Sequence, residues 1–197
     1  MGYSKVDLAA LIGSRICHDL ISPIGAINNG LELLGMTSDA SGAELELISE
    51  SVENASARIR FFRVAYGAAG MQEMGRAEIS AILEDYTSGG RLSVAWGPLD
   101  AQTRQEVQLA FLTLQCLETA MPYGGVIKVT KDGPRWHLHG AAPKLNVDDA
   151  MWQMAQGGTE VELSPAQVQF ALLPALMADA GRSLTMQGTQ TDIALQF

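Results

Sequence analysis

Apolar residues in the first third of the chain recur every three or four positions, the spacing of one face of an α-helix. In the first such segment the apolar positions are Ile16, Leu20, Ile24, Ile27, Leu31 and Leu34. Small and polar residues from Thr37 to Gly42 then predict a turn. In the second segment the positions are Leu45, Ile48, Val52, Ala55, Ile59, Phe62 and Tyr66. Two helices joined by a short polar loop predict a helical hairpin over residues 1–70.

These two apolar stripes need a partner surface. Each stripe continues for about five turns, and a single hairpin covers only part of it. Pairing two hairpins into a four-helix bundle buries far more apolar surface, so the pattern favours a homodimer. In the alternative, the second half of the same chain covers the stripes.

After Gly75 the pattern changes to short alternating runs broken by Gly and Pro, which is typical of strands. The predicted strands are 91–96, 125–130, 135–139, 182–187 and 191–197, and the predicted helices are 101–120, 148–155 and 165–180. We expect an α+β protein with a boundary at 70–75. Residues 76–197 would form a second domain, an α/β sandwich with its helices on one face of a small antiparallel sheet.

Composition and charge exclude several classes of function. No apolar stretch is long enough to cross a bilayer, and the N-terminus lacks a secretory signal, so we expect a cytoplasmic protein without membrane contact. The net charge is −9, with 22 acidic against 13 basic residues, which argues against a nucleic-acid partner. The two cysteines, Cys17 and Cys116, have no metal-ligand spacing and predict two buried, reduced thiols.

His18 lies outside the apolar stripe of the first helix. At about 100° per residue it projects roughly 170° from the centre of the stripe, so its imidazole is expected to face outward. Small or polar residues share this face, with Arg15 beside them: Ser14, Ser22, Gly25 and Asn29. Such a low surface would allow another protein to approach His18 closely, although a surface histidine without function is the alternative.

The neighbours of His18 favour a functional role. Pro23 removes the backbone hydrogen bond to the Asp19 carbonyl, which predicts a kink one turn after His18. Asp19 places a carboxylate beside the imidazole, where it can select one tautomer or hold the imidazolium.

Residues 18–24, His-Asp-Leu-Ile-Ser-Pro-Ile, followed by Ile27, resemble the phospho-acceptor box of two-component histidine kinases. The longer run to Leu34 resembles the ChpT histidine phosphotransferases of alphaproteobacterial phosphorelays, and this resemblance extends over essentially the whole chain. It implies that His18 is the phosphorylated residue, with Asp19 as its catalytic partner. It also implies that the partners are receiver domains, of a hybrid histidine kinase and of response regulators, and that these carry the Mg²⁺.

The second half resembles a kinase ATP-binding domain whose nucleotide site has degenerated. Gln115 and Thr119 stand where the kinases have two magnesium-binding asparagines, and Thr119 offers only a hydroxyl. The strand at 136–142 has no carboxylate where the kinases have an adenine-reading aspartate. Pro165 lacks the backbone amide that a phosphate would need at the start of a helix. We therefore expect no cofactor and no ATP-dependent kinase activity.

The sequence predicts a phosphorelay histidine phosphotransferase that accepts a phosphoryl group on His18 from a receiver-domain aspartate and passes it to response regulators. The predicted docking residues are Arg15, Ser22, Gly25, Asn29, Arg58 and Arg63. Two alternatives stay open: an active histidine kinase with an unusual nucleotide site, and a non-catalytic signalling scaffold.

Overall fold

The computed structural model describes residues 3–36, 42–70 and 72–197. The helices are α1 (Lys5–Met36), α2 (Gly42–Ala65), α3 (Arg76–Thr87), α4 (Arg104–Ala120), α5 (Asp149–Ala155) and α6 (Gln169–Asp179), with a 3₁₀ turn at Pro165–Gln167. The strands are β1 (Glu73–Met74), β2 (Leu92–Trp96), β3 (Gln102–Thr103), β4 (Gly125–Asp132), β5 (Arg135–Ala141), β6 (Thr185–Gly188) and β7 (Asp192–Gln196).

Helices α1 and α2 pack side by side in opposite directions. Asp19 lies opposite Arg58 and Gly30 lies opposite Ile48, so rising numbers on α1 meet falling numbers on α2. Gly30 is buried, and a Cβ added there would lie 2.6 Å from Cγ1 of Ile48, so its missing side chain allows the helices to approach closely. Helix α1 continues through Pro23 without a break. The predicted turn lies largely outside the described residues, because only Gly42 is described and it begins α2.

The main sheet has the strand order β2-β4-β5-β7-β6. Strands β2 and β4 are parallel and the other neighbours are antiparallel, so the expectation of an antiparallel sheet is wrong for this pair. The physical reason is that α4 connects β2 to β4, and a helical crossover returns the chain in the same direction. The short pair β1–β3 and helix α3 are elements that the sequence analysis did not predict.

The core lies between the main sheet and helices on one of its faces, and it includes the end of α2. On α2, the ring of Phe61 stacks on Tyr86 of α3 at 3.9 Å and on Phe111 of α4 at 4.7 Å between ring centroids. The last turns of the hairpin therefore share one core with the second half of the chain. Cys116 is buried there, whereas Cys17 is exposed on α1, so the expectation of two buried thiols is wrong for Cys17.

The beginning of α1 is also bonded to the second half. The hydroxyl of Tyr3 donates to the carbonyl oxygen of Val161 and accepts from the backbone N–H of Leu163, both at 2.9 Å. One turn before His18, the guanidinium of Arg15 donates to the carbonyl oxygen of Ala166.

Across the described ranges, no helix combines the length and apolarity that a membrane crossing requires.

Candidate functional site

The imidazole of His18 stands on the surface of α1, and 78% of its side chain is exposed. Its Nδ1 lies 3.1 Å from Oδ1 of Asp19, whose side chain is only 9% exposed. The other ring nitrogen, Nε2, has no hydrogen-bond partner within the described part of the chain. A buried carboxylate thus orients an exposed ring and leaves one of its nitrogens free.

Two arginines act on the opposite oxygen of Asp19. The Nε of Arg15 donates to Oδ2 of Asp19 at 2.8 Å, and Nη1 of Arg58 lies 3.7 Å from the same oxygen. Arg58 is itself held by its neighbour on α2, because its Nε donates to Oδ1 of Asn54 at 2.9 Å. The cations and the imidazole therefore fix the carboxylate from both sides.

His18 and Asp19 line an open groove of about 490 Å³ between α1 and α2. The other residues that line it are Ser22, Pro23, Ala26, Glu50, Ser51, Asn54 and Arg58. The groove is wide enough at its mouth to leave the imidazole accessible from solvent. A partner can approach the ring from this side without moving a helix.

Four of the predicted docking residues surround this groove or extend its surface. Ser22 and Arg58 line it, and Asn29 is exposed further along α1. A Cβ added at Gly25 would meet nothing within 4 Å, so the surface is open at this position. His18 is therefore surrounded by small or polar residues on α1, as the helical spacing predicts.

The two remaining arginines are placed differently. Arg15 is only 13% exposed and is engaged with Asp19 and Ala166, so a direct docking contact would require it to leave them. Arg63 lines a separate pocket between α2 and α3, together with Arg60 and Arg104. Arg63 is therefore not brought to the groove that contains His18.

One buried carboxylate near the site was not predicted from the sequence. Glu118 of α4 accepts a hydrogen bond from the Tyr86 hydroxyl at 2.9 Å. Burial raises the pKa of the Glu118 carboxyl, while the Tyr86 hydrogen bond and the charges of Arg15 and Arg58 act in the opposite direction. The available signal was an acidic residue near the end of α4, directly after the unbroken run of buried residues from Val107 to Leu117.

Residues at the positions that resemble the kinase nucleotide site form side-chain hydrogen bonds with other residues of this chain. Tyr66 donates to Oε1 of Gln115 at 2.9 Å, and Nε2 of Gln169 donates to Oγ1 of Thr119 at 2.9 Å. Pro165 begins the 3₁₀ turn, as its missing amide permits. Within residues 3–36, 42–70 and 72–197, no cluster of three or more His, Cys, Asp or Glu side chains could hold a metal ion.

Comparisons with known proteins agree with this architecture. A family model described as the histidine phosphotransferase C-terminal domain matches residues 76–192. The Brucella abortus (strain 2308) protein named Protein phosphotransferase ChpT is 34% identical over 203 residues, which cover 96% of this chain and 94% of that protein. A bacterial phosphotransferase solved at 1.7 Å is 32% identical with a TM-score of 0.83, covering 100% of this chain and 98% of that one.

The fold and these matches define a protein of the phosphotransferase class. The chain belongs to the histidine phosphotransferase family, which confirms the resemblance found in its sequence.

Proposed function

We propose that this chain is a phosphorelay histidine phosphotransferase in which His18 is the phosphorylated residue. The phosphoryl donor would be the aspartyl phosphate on the receiver domain of a hybrid histidine kinase. The acceptors would be the receiver domains of response regulators. The observation that carries this assignment is the exposed imidazole of His18, oriented by the buried Asp19 in an open groove.

The geometry favours Nε2 as the attacking nitrogen, because Nδ1 faces Asp19. Nε2 attacks the phosphorus of the aspartyl phosphate, and an N–P bond forms as the P–O bond to the receiver aspartate breaks. The aspartate leaves as a carboxylate with the bonding electrons. Asp19 meanwhile accepts a hydrogen bond from Nδ1–H and stabilises the positive charge that develops on the ring.

The second transfer reverses these bond changes on another receiver domain. A response-regulator aspartate attacks the phosphorus, and the N–P bond breaks to return a neutral imidazole. Phosphoryl transfer depends mainly on alignment and on neutralising the phosphoryl oxygens. The Mg²⁺ that neutralises them would be carried by the receiver domain, so the task of this chain is to present the imidazole.

The surface around His18 is suited to a receiver domain. Ser22 and Gly25 add little bulk, and Asn29 offers an amide at the end of the same surface. Arg58 is one-third exposed, so it can meet an acidic rim while it remains near Asp19. These four residues form the docking surface of our proposal.

A second copy of this chain is the proposed partner for the other side of the hairpin. Large apolar side chains there are about half exposed: Ile24, Leu31, Leu45, Val52 and Ile59. Helical geometry places them away from the His18 groove. The far end of the stripe is covered within the chain, since Phe62 is buried. A four-helix bundle between two hairpins would bury the exposed remainder.

The assignment is tested by exchanging the proposed nucleophile. His18→Gln removes the nucleophile from an exposed position and should abolish phosphoryl uptake from a phosphorylated receiver domain without changing the melting temperature. The control is His139→Gln, because His139 is also exposed and also lies near a carboxylate, 3.4 Å from Asp192. Undiminished labelling of His18→Gln would refute the assignment.

A further inference from the structure

The phosphorylated form of this chain would exist for a time without any partner. In the proposed relay, the donor receiver domain leaves with its Mg²⁺ before the acceptor receiver domain binds. A phosphoryl group adds about two negative charges and three strong hydrogen-bond acceptors. The chain already carries a net charge of −9. A phosphoryl group on His18 therefore needs a counter-charge that belongs to this chain.

Among the described residues, Arg58 of α2 is the one arginine that lines the groove around His18. Two carboxylates also line this groove, those of Asp19 and Glu50. Asp19 is paired at 2.8 Å with Arg15, whose side chain is largely buried. Glu50 lies two turns before Arg58, about 12 Å away along α2. Arg58 is therefore the cation that a group on His18 can meet in the groove.

Arg58 is held in place while its terminal nitrogens stay unoccupied. Its Nε donates to Oδ1 of Asn54, one turn earlier on α2, at 2.9 Å. Its Nη1 lies 3.7 Å from Oδ2 of Asp19, which is within the range of an ion pair but too far for a hydrogen bond. Within the described part of the chain, neither terminal nitrogen makes a hydrogen bond. The outer edge of the guanidinium is thus oriented and available to an acceptor.

Arg58 and His18 stand at the two oxygens of one carboxylate. Nδ1 of His18 lies 3.1 Å from Oδ1 of Asp19, and Nη1 of Arg58 lies near Oδ2. A phosphoryl group on His18 would enter the groove that the partly exposed Arg58 lines. A planar guanidinium can donate two parallel hydrogen bonds to phosphate oxygens. Turning toward them costs Arg58 no hydrogen bond to Asp19, because Asp19 keeps its pairing with Arg15.

We propose that Arg58 is a catalytic residue that binds the phosphoryl group on His18, and that Asn54 is the positioning residue that orients it. The guanidinium neutralises the phosphoryl oxygens during each transfer and in the interval between the two transfers, when no Mg²⁺ is at hand. It forms no covalent bond and exchanges no proton. This inference rests on the proposed function of His18, and it adds to the docking role of Arg58 a contact with the transferred group itself.

Chemical phosphorylation with phosphoramidate tests this contact without a receiver domain. The N–P bond of phosphoramidate breaks, ammonia leaves and the imidazole gains the phosphoryl group. The signal of phospho-His18 in the ³¹P NMR spectrum is the one that is missing from His18→Gln. Its pH midpoint reports the last protonation of the phosphoryl group. Arg58→Gln should raise this midpoint by about 0.5 to 1 pH unit, because loss of a neighbouring positive charge disfavours the dianion.

Two further variants separate the guanidinium from its support and from the net charge. Asn54→Ala keeps the charge and removes the hydrogen bond to Nε, so it should raise the midpoint by a smaller amount, and it serves if Arg58→Gln does not fold. The matched control is Arg63→Gln, because Arg63 is an exposed arginine on the same helix that lines a separate pocket. Its exchange should leave the midpoint unchanged.

Transfer kinetics separate binding of the phosphoryl group from docking. Arg58→Lys keeps the charge that an acidic rim would meet and loses the planar fork. It should leave the half-saturating concentration of phosphorylated receiver domain unchanged and lower the rate at saturation about threefold. A lower affinity with an unchanged rate at saturation would assign Arg58 to docking alone and overturn the inference.

The ³¹P midpoint decides the inference independently of the relay. An unchanged midpoint in Arg58→Gln, or an equal rise in Arg63→Gln, would overturn it. Failure of phosphoramidate to label His18, an imidazole that is 78% exposed, would contradict it as well. If phosphorylated receiver domains leave His18 unlabelled, the proposed function fails, and the midpoint still shows whether Arg58 binds a phosphoryl group there.

Discussion

Asp19 is the residue on which the orientation of His18 depends most directly. Asp19→Asn keeps the shape of the side chain and removes the charge that faces Nδ1 and the two arginines. Phosphoryl transfer should slow by about ten- to a hundredfold and remain measurable, because the nucleophile itself is intact. Rapid-quench measurements with a phosphorylated receiver domain give the rate. A rate equal to that of the unmodified protein would remove Asp19 from the mechanism.

The residues of the site differ in how readily the sequence predicts their positions. His18, Asp19 and Ser22 lie on one helix, so the periodicity of α1 is sufficient to place them on one surface. Arg58 and Arg63 are separated by about 140° around α2, so they cannot both face the groove. Position along the hairpin alone does not show which face of α2 each arginine occupies.

Glu118 illustrates the part of the site that local patterns cannot reveal. It lies 99 positions after Asp19 in the sequence, and it comes near the hairpin only because its hydrogen-bond partner Tyr86 stacks on Phe61 of α2. Such proximity depends on tertiary packing, which a single sequence does not encode in any spacing.

The close approach of helices α1 and α2 depends on Gly30. Gly30→Ala would place a methyl group 2.6 Å from Cγ1 of Ile48, and should lower the free energy of unfolding by about 1 to 3 kcal/mol. The control is Gly13→Ala on the same helix, where an added Cβ meets nothing within 4 Å. This exchange should stabilise the protein by about 0.5 to 1 kcal/mol, as alanine does in helices. Denaturant titration measures both, and equal effects would contradict the close packing.

The exposed apolar side of the hairpin leads to a prediction about assembly. Leu31→Asp combined with Val52→Asp places charges in the proposed bundle and should convert the dimer to a monomer. Leu99→Asp, at an exposed apolar residue outside the hairpin, should leave the dimer intact. Light scattering at micromolar concentration distinguishes the two states. An unmodified protein that is monomeric under these conditions would contradict the bundle.

The strands show why the sheet was only partly predictable. The alternation of apolar and polar residues predicts β2, β4, β5 and β7, because each of these strands buries one face. It carries no information about which strand is the neighbour, so the parallel pairing of β2 with β4 was missed. The two-residue strands β1 and β3 are too short to show any alternation.

The hairpin and the second half of the chain are joined by a common core. Phe62 and Tyr66 continue the apolar stripe of α2, and their spacing alone predicted a bundle seam. In the structure they pack against the second half, as Phe61 does on Phe111. A periodic stripe shows that a helix face is covered, but it does not identify the covering surface. The predicted boundary at 70–75 therefore lies beside a packed interface, and removal of residues 76–197 would expose the end of α2.

Phosphotransferase and kinase are distinguished by following the phosphate from its source to the residue that receives it. The protein is incubated with a phosphorylated receiver domain and, in parallel, with magnesium and ATP alone, and the labelled peptide is mapped in both. We predict an acid-labile, base-stable phosphate on Nε2 of His18 from the receiver domain, and none from ATP. Label acquired from ATP would restore the kinase alternative, and label from the receiver domain on any residue other than His18 would contradict the proposed site.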